Sequence, residues 1–354
     1  GIENFTLLEK SDRIGGTWRE NTYPGAACDV PAFLYSLSFE PKTDWTRKWA
    51  QQDEILAYME HCFDAYEIRP HVRFGFEVEG ARFDEETGVW RVRSTDGETL
   101  EAEILVSGVG QLSRPYTPDL PGLADFAGVR FHSAQWNHDV PLEGKRVAVI
   151  GNAASAVQFV PEIAKQASHV SVFQRSANWI FPKNDTLYSE AEKQRFARHP
   201  WLAKLYRWWI WLSFEARFPL FRGNASFRKR LEDYARGPID AIPDEALRRV
   251  LVPDYPIGGK RILTSDDYYP TLCQDHVDLV TAGIERITPG GVLDRSGTEH
   301  AADVLILGTG FETTHFLAPM ELEGRGGRHL DEDWKRAAKS YLGITTPGLP
   351  NFFM

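Results

Sequence analysis

The stretch that most constrains the fold runs from Arg146 to Phe173. RVAVI at Arg146–Ile150 is an apolar run of strand length that ends at Gly151. GNAASA follows, and a helical pattern of apolar residues continues to about Ala167. HVSVF at His169–Phe173 is the next strand. Strand, glycine turn, helix and strand form a βαβ unit, so the chain is expected to be an α/β protein with parallel strands. Pro161 lies inside the helical pattern, where it predicts a kink or a tight approach. A glycine straight after a strand permits the tight turn that aims a helix N-terminus at a pyrophosphate. The usual second glycine of such a loop is Ala153 here. Taken alone, the loop fits a plain strand-to-helix turn about as well.

The next strand sharpens this reading. A site for NAD offers an acid there, to hold the ribose 2′-hydroxyl. This chain offers Gln174-Arg175-Ser176. Arginine at that place pairs with a 2′-phosphate, which points to NADP. The alternative is a surface arginine at a strand end. A second glycine system opens the chain. FTLLE at residues 5–9 suits a buried parallel strand whose acid, Glu9, would grip a ribose. Gly15, Gly16, Thr17 and Trp18 follow, and paired glycines permit close approach to a flat cofactor. The competing reading is a glycine turn beside a core tryptophan. Further strand-to-glycine corners are ILVS at residues 104–107, leading to Gly108 and Gly110, and VLIL at Val304–Leu307, leading to Gly308 and Gly310. Two strand–glycine systems in one chain predict two nucleotide sites. No residues precede Gly1 to supply a glycine loop ahead of Glu9, so the first βα unit is expected to be missing.

At 354 residues the chain is long enough for two domains with a large core. Its net charge of -10 argues against a dedicated nucleic-acid binder. Cys28, Cys62 and Cys273 are far apart with no CxxC spacing, which argues against a zinc site or a disulfide framework. Reduced cysteines in a cytoplasmic protein are the expectation. The most apolar stretch, residues 201–221, is broken by Lys204, Arg207, Glu215 and Arg217 and makes a poor membrane span. Buried helix packing is expected there. A weak membrane-surface association and a substrate-tunnel lining are the minority readings. Residues 184–256 are helical, aromatic and charged, and predict a helical insertion.

FAGVRFHSAQWN at residues 126–137 resembles the fingerprint of Baeyer–Villiger monooxygenases, F-x-G-x-x-x-H-[ST]-x-x-W followed by proline or aspartate. Phe126, Gly128, His132, Ser133 and Trp136 match, and Asn137 departs. Other blocks agree in order: EKSDRIGGTW, YPGAACDVP, SGVGQLSRP, GNAASAVQFVPEIA with FQRS, IGGKRILTSDDYYP and GTGFETT. The similarity covers nearly the whole chain. The family's opening glycine unit and its continuation past Met354 are not in this sequence, so the chain is expected to be truncated at both ends.

The resemblance implies two Rossmann-like dinucleotide-binding domains with a helical insertion. An FAD domain would take residues 1–111. The NADP domain would take 112–180, with the fingerprint linker, and 258–302, around a helical insertion at 181–257. Residues 303–354 would return to the FAD domain. It also implies roles. Glu9 would hold the FAD ribose, with Gly15, Gly16, Thr17, Trp18, Asp29, Tyr35, Val78 and Gln111 about the flavin. Gly151, Asn152, Ala153, Ala154, Ser155, Ala156, Val157 and Gln158 would hold the NADP pyrophosphate. Arg175, Ser176 and Lys260 would hold its 2′-phosphate. His132 and Trp136 would belong to a hinge between domains. Arg261 matches the family's active-site arginine, with Asp29 as its partner.

The implied reaction takes O2 and a ketone to an ester or lactone through a flavin peroxide. Arginine suits this chemistry because two anions must be stabilised in a water-poor pocket and its charge is permanent. The alternative for Arg261 is a second phosphate contact beside Lys260, and for Asp29 a turn or cap residue. Two rival functions remain open: a flavin monooxygenase acting on nitrogen or sulfur, and a non-catalytic flavoprotein fragment.

Overall fold

The computed structural model describes residues 3–313, 317–335 and 337–354. The chain divides into two compact units. One comprises Gly1–Arg19, Met59–Tyr116 and Phe311–Met354, and the other Glu20–Tyr58 and Thr117–Gly310.

The second unit is built on a five-stranded parallel sheet. Its order is Val277–Val280, His169–Phe173, Arg146–Ile150, Val304–Leu307, Val129–His132. Its two central strands are buried and apolar, Arg146 excepted, because both faces are covered, whereas Ser171, Asp278 and Arg130 interrupt the other three. Val147, Val149, Val170, Val172, Val304 and Ile306 point into one core, with the buried side of helix Ala154–Ala164. Ala148, Ile150, Phe173, Leu305 and Leu307 point into the other, with Ile287 and Val292 from an antiparallel three-stranded sheet. Each fully buried aliphatic side chain of this kind contributes about 1.5–3 kcal/mol. Pro161 is buried within the helix, which runs through it unbroken.

Residues between the strand Ile180–Phe181 and Leu263–Thr264 form the expected helical insertion: Glu190–Arg198, Pro200–Glu215, Phe218–Phe221, Ala225–Asp240 and Glu245–Leu251. Ser189 caps the first with a full capping box. The helix Pro200–Glu215 is not buried packing. Only Ala203 and Ile210 are buried, and Trp208 is 67% exposed beside exposed Trp201, Leu205, Trp209 and Leu212. Arg207 on this helix donates to the carbonyls of Phe33, Leu34 and Ser36 at 2.7–3.1 Å, tying it to the loop that carries Tyr35. Among the described residues no helix is long and apolar enough to cross a membrane.

The first unit holds an antiparallel meander, Val78–Asp84, Val89–Ser94 and Thr99–Ala102, joined in parallel by Glu321–Glu323. Trp90 is fully buried at its centre, and its indole donates to the Pro350 carbonyl at 2.8 Å. Two expectations are corrected here. The strand at the chain's start, Leu7–Glu9, does pair in parallel with Val72–Phe74, but it is not buried: Phe5 and Leu7 are exposed. It has one strand neighbour, so its apolar residues are not enclosed as in a sheet interior. The expected domain limits also shift. Residues 303–310 were assigned to the first nucleotide domain, yet Val304–Leu307 lies between two strands of the second unit's sheet. Residues 20–58 likewise join the second unit, where Tyr23 packs on Phe159 and bonds Gln158.

Candidate active site

The site in the second unit starts at the strand end Arg146–Ile150. Gly151 has φ +105°, and a Cβ there would lie 2.4 Å from the Gly308 carbonyl. A side chain is therefore excluded twice, by conformation and by space. The Gly308 amide in turn donates to Ile150 at 2.8 Å. The corner after RVAVI and the corner after VLIL are thus side by side on one sheet.

Ala153 opens the helix Ala154–Ala164 in an extended conformation, and no side chain caps it. The first-turn amides of an uncapped helix are left for an outside acceptor, which fits a pyrophosphate. Asn152 braces the turn. Its Nδ2 donates to Gln174 Oε1 at 2.7 Å and to the Ser176 carbonyl at 3.0 Å. Asn178 donates to the Asn152 carbonyl at 2.9 Å. The expected pyrophosphate run is too long at its far end. The Val157 amide is already bonded to Ala153, and the side chains of Ala156 and Val157 are in the core. Gln158 faces Tyr23 and Ala27: it accepts from the Tyr23 hydroxyl and the Ala27 amide and donates to the Ala27 carbonyl. It is a brace between the helix and the Tyr23–Ala27 turn.

Past the next strand, Arg175 is exposed. Ser176 accepts from Lys260 Nζ at 2.8 Å, and that ammonium lies 4.5 Å from the centre of the Tyr255 ring. Arg175, Ser176 and Lys260 thus offer cationic and hydroxyl groups at one strand end, the donor chemistry a phosphate monoester requires.

Arg261 is adjacent to Lys260 but has a different partner. Its guanidinium donates to the Asp29 carboxylate. The pair lies on the wall of a cavity of about 460 Å3, also lined by Lys48, Trp49, Lys183 and Arg217. The Arg261 side chain is 62% exposed, so its charge is available to a ligand. Nearby, burial pushes the Tyr23 phenol up, against a hydrogen bond with Ser155. Burial pushes the Cys28 thiol up to about 12, which keeps it protonated and unreactive at neutral pH. Lys48 and Lys183 carry no local motif that would have singled them out in the sequence.

In the first unit, Glu9 ends its strand, accepts from the Ser11 amide at 2.9 Å and lies 3.5 Å from Arg19. Gly15 and Gly16 have φ +119° and +48°. They lead into the one-turn helix Thr17–Glu20, with Trp18 bonded back to the Gly15 carbonyl. Two left-handed glycines after an acid-tipped strand leave the backbone bare, as close approach of a dinucleotide requires. Val78 begins the meander of this unit, and Gln111 is exposed on a loop. Asp29 and Tyr35 belong to the second unit.

The fingerprint is structural. Val129–His132 is the edge strand of the parallel sheet. Phe126 is buried, and a Cβ on Gly128 would meet the Asp303 carbonyl at 2.4 Å and the Phe126 ring at 2.8 Å. His132 accepts the Ala134 amide at 3.0 Å, and Ser133 is buried behind it. Burial pulls the His132 imidazole down, partly offset by a hydrogen bond with the Gly310 backbone. Trp136 packs between Phe131 and Phe159, with ring centres 5.1 and 5.3 Å away. The last residue of the GTGFETT block, Thr314, lies outside the described residues.

The family model described as pyridine nucleotide-disulphide oxidoreductase matches residues 22–198. A Baeyer–Villiger monooxygenase from Pseudomonas aeruginosa is 42% identical over all 354 residues of this chain, which span 67% of that protein. This chain belongs to the Baeyer–Villiger monooxygenase family. Solved structures of such flavin-dependent monooxygenases share its fold. An oxidised steroid monooxygenase bound to NADP superposes with a TM-score of 0.85 at 33% identity, covering 98% of this chain and 75% of that one. The structure of OTEMO in complex with FAD and NADP gives 0.86 at 28% identity, covering 98% and 74%. Where the Baeyer–Villiger fingerprint has proline or aspartate after tryptophan, this member has Asn137, whose side chain caps the turn to Asp139 at 3.1 Å.

Proposed function

We propose that this chain is the FAD- and NADPH-dependent part of an enzyme that inserts one oxygen atom of O2 into a ketone, giving an ester or lactone. The observation that carries the reading is the Arg261–Asp29 pair on the cavity wall. Reduced FAD would supply the activated oxygen and NADPH the hydride.

The chain's own residues fit both groups. The first-turn amides at residues 153–156 would take the NADP pyrophosphate, and Arg175, Ser176 and Lys260 its 2′-phosphate. Glu9 would hold the FAD ribose, and Gly15 and Gly16 would admit its phosphates. Arg261 would stabilise the oxyanion that develops on the attacked carbonyl. A fixed guanidinium needs no reorganisation at that moment and cannot lose its charge. Asp29 would orient that guanidinium through its carboxylate. The apolar walls contributed by Phe181, Phe214 and Leu231 would keep water from the developing charge.

The test is product analysis. The holoprotein is given NADPH, a neutral cyclic ketone and 18O2. One labelled oxygen in a lactone is the expected result. Consumption of NADPH with oxygenated amine or sulfide but no lactone would instead establish the nitrogen- and sulfur-oxygenating reading. Finding no oxygenated product from any class would establish the non-catalytic one.

A further inference from the structure

The cavity that carries Arg261 is more cationic than a neutral ketone requires. Lys48, Lys183, Arg217 and Arg261 line it, and Asp29 is its one acidic lining residue. Asp29 is engaged by Arg261. The neighbouring acids are also engaged elsewhere. Asp185 lies 3.4 Å from Arg47, and Asp266 accepts the backbone amides of Lys183, Asn184 and Asp185 at 2.8–3.1 Å. Among the described residues, the Lys48 and Lys183 ammonium groups have no ion pair. Both lie against the Trp49 ring, 5.5 and 5.9 Å from its centre. Trp49 itself is buried, and its indole N–H has no acceptor among the described residues.

Four cationic side chains against one engaged carboxylate leave this lining with uncompensated positive charge, which is costly where water access is reduced. Contact with the indole face offsets only part of that cost. Burial pulls the Lys183 ammonium down, against the attraction of Asp185. An anion entering the cavity would offset that charge. Phe181, Phe214 and Leu231 also line the cavity and suit a hydrocarbon or aryl body.

We propose that this cavity is a subsite for the carboxylate of the substrate, so that the preferred ketone is an oxo acid held by Lys48 and Lys183. The proposal rests on the ketone-oxygenating reading above and names its substrate class. A carboxylate accepts several donors at once, which suits the two ammonium groups of this lining.

The experiment is titration calorimetry on the holoprotein with 4-oxo-4-phenylbutanoate and with its methyl ester. The acid should bind at least about tenfold more tightly, given charge-assisted contacts worth about 1.5–3 kcal/mol each. Lys183→Met and Lys48→Met should each lower the acid-to-ester affinity ratio by about tenfold. Lys183→Arg should keep most of it, which guards against a variant that fails only in folding. Added salt should weaken the acid and not the ester. Equal binding of acid and ester overturns the proposal, and so does a ratio that survives both methionine variants. A matching loss of NADP+ affinity in those variants also overturns it, because the lysines would then serve the dinucleotide. Lactone formation from a neutral ketone is scored separately. Its failure with acid preference intact counts only against the oxygenation reading. Its success without acid preference counts only against the subsite.

Discussion

The Arg261 guanidinium donates to the carboxylate of Asp29, a residue 232 positions earlier in the chain. The contact joins the loop after the helical insertion to the loop that follows the Tyr23–Ala27 turn. Lys260, one residue before, turns to Ser176 and Tyr255 instead. Two adjacent cations thus take different tasks, one at a strand end suited to phosphate and one on the cavity wall.

Arg261→Ala should therefore abolish oxygenation more than it weakens NADPH binding. Loss of one preorganised charge of this kind commonly costs about 10²–10³ in rate. Arg261→Lys should recover only part, because a point charge does not reproduce the planar fork. Stopped-flow absorbance separates flavin reduction from oxygenation, with ester quantified alongside. A variant that makes ester at the parent rate, or whose sole defect is NADPH affinity, would make Arg261 a phosphate ligand.

Arg175→Ala and Lys260→Ala should raise the KM for NADPH by tenfold or more and leave that for NADH nearly unchanged. Charge-assisted contacts to phosphate are worth about 1.5–3 kcal/mol each, which sets that scale. Steady-state kinetics with both cofactors decide it. An equal loss with NADH would mean that the residues act on the fold and not on the 2′-phosphate.

How far these features were legible depends on how local their causes are. RVAVI, Gly151, the helix and HVSVF were readable because each signal lies within a few residues. The place of VLIL was not. A strand in a parallel sheet is positioned by its crossover connections, and nothing in four apolar residues says which neighbours they will have. The open face of FTLLE was misread for the same reason, since burial depends on what covers the strand. At the site, Arg261 was found through a motif. Lys183 meets Lys48 and Trp49 only through the tertiary fold, and no spacing in the chain announces it. The tryptophan-rich stretch near Trp208 had the composition of a core helix. Its exposure shows that composition alone does not determine burial.

Gly151→Ala should lower the thermal midpoint by several degrees and remove NADP+ binding. The φ of +105° and the 2.4 Å approach to the Gly308 carbonyl make even a methyl group costly. Strain of this kind costs about 1–3 kcal/mol, before any shift of the two strand ends. Gly16→Ala is a useful contrast, because a Cβ there meets nothing within 4 Å and only the backbone conformation resists it. Differential scanning fluorimetry with and without NADP+ compares them. Unaltered NADP+ binding by Gly151→Ala would show that the dinucleotide does not approach this turn.

A final prediction concerns pH and the Asp303–Arg146 clamp. Asp303 Oδ2 accepts the Arg146 amide at 2.9 Å and Nε at 3.2 Å, and Oδ1 accepts Nη2 at 2.6 Å. The Asp303 amide donates back to the Arg146 carbonyl at 2.8 Å, so the clamp holds two adjacent strands in register at their starts. The Arg146 guanidinium and amide push the Asp303 carboxyl down to about 2. An unfolded aspartate titrates near ~3.9. The folded state therefore holds its proton less tightly, and the contribution is whole above about pH 4. It declines as pH falls from there through the folded value, once the paired carboxylate takes up its proton. Asp303→Asn should lower the thermal midpoint modestly at pH 7, since both side chains are partly open to solvent and screened by salt. The gap between the parent protein and this variant should then narrow as the pH is taken from 5 to 3. Melting curves across that range, at low and high salt, provide the check. A gap that stays constant with pH would show that the carboxylate charge contributes nothing, and that Asp303 acts through side-chain hydrogen bonds that asparagine does not reproduce.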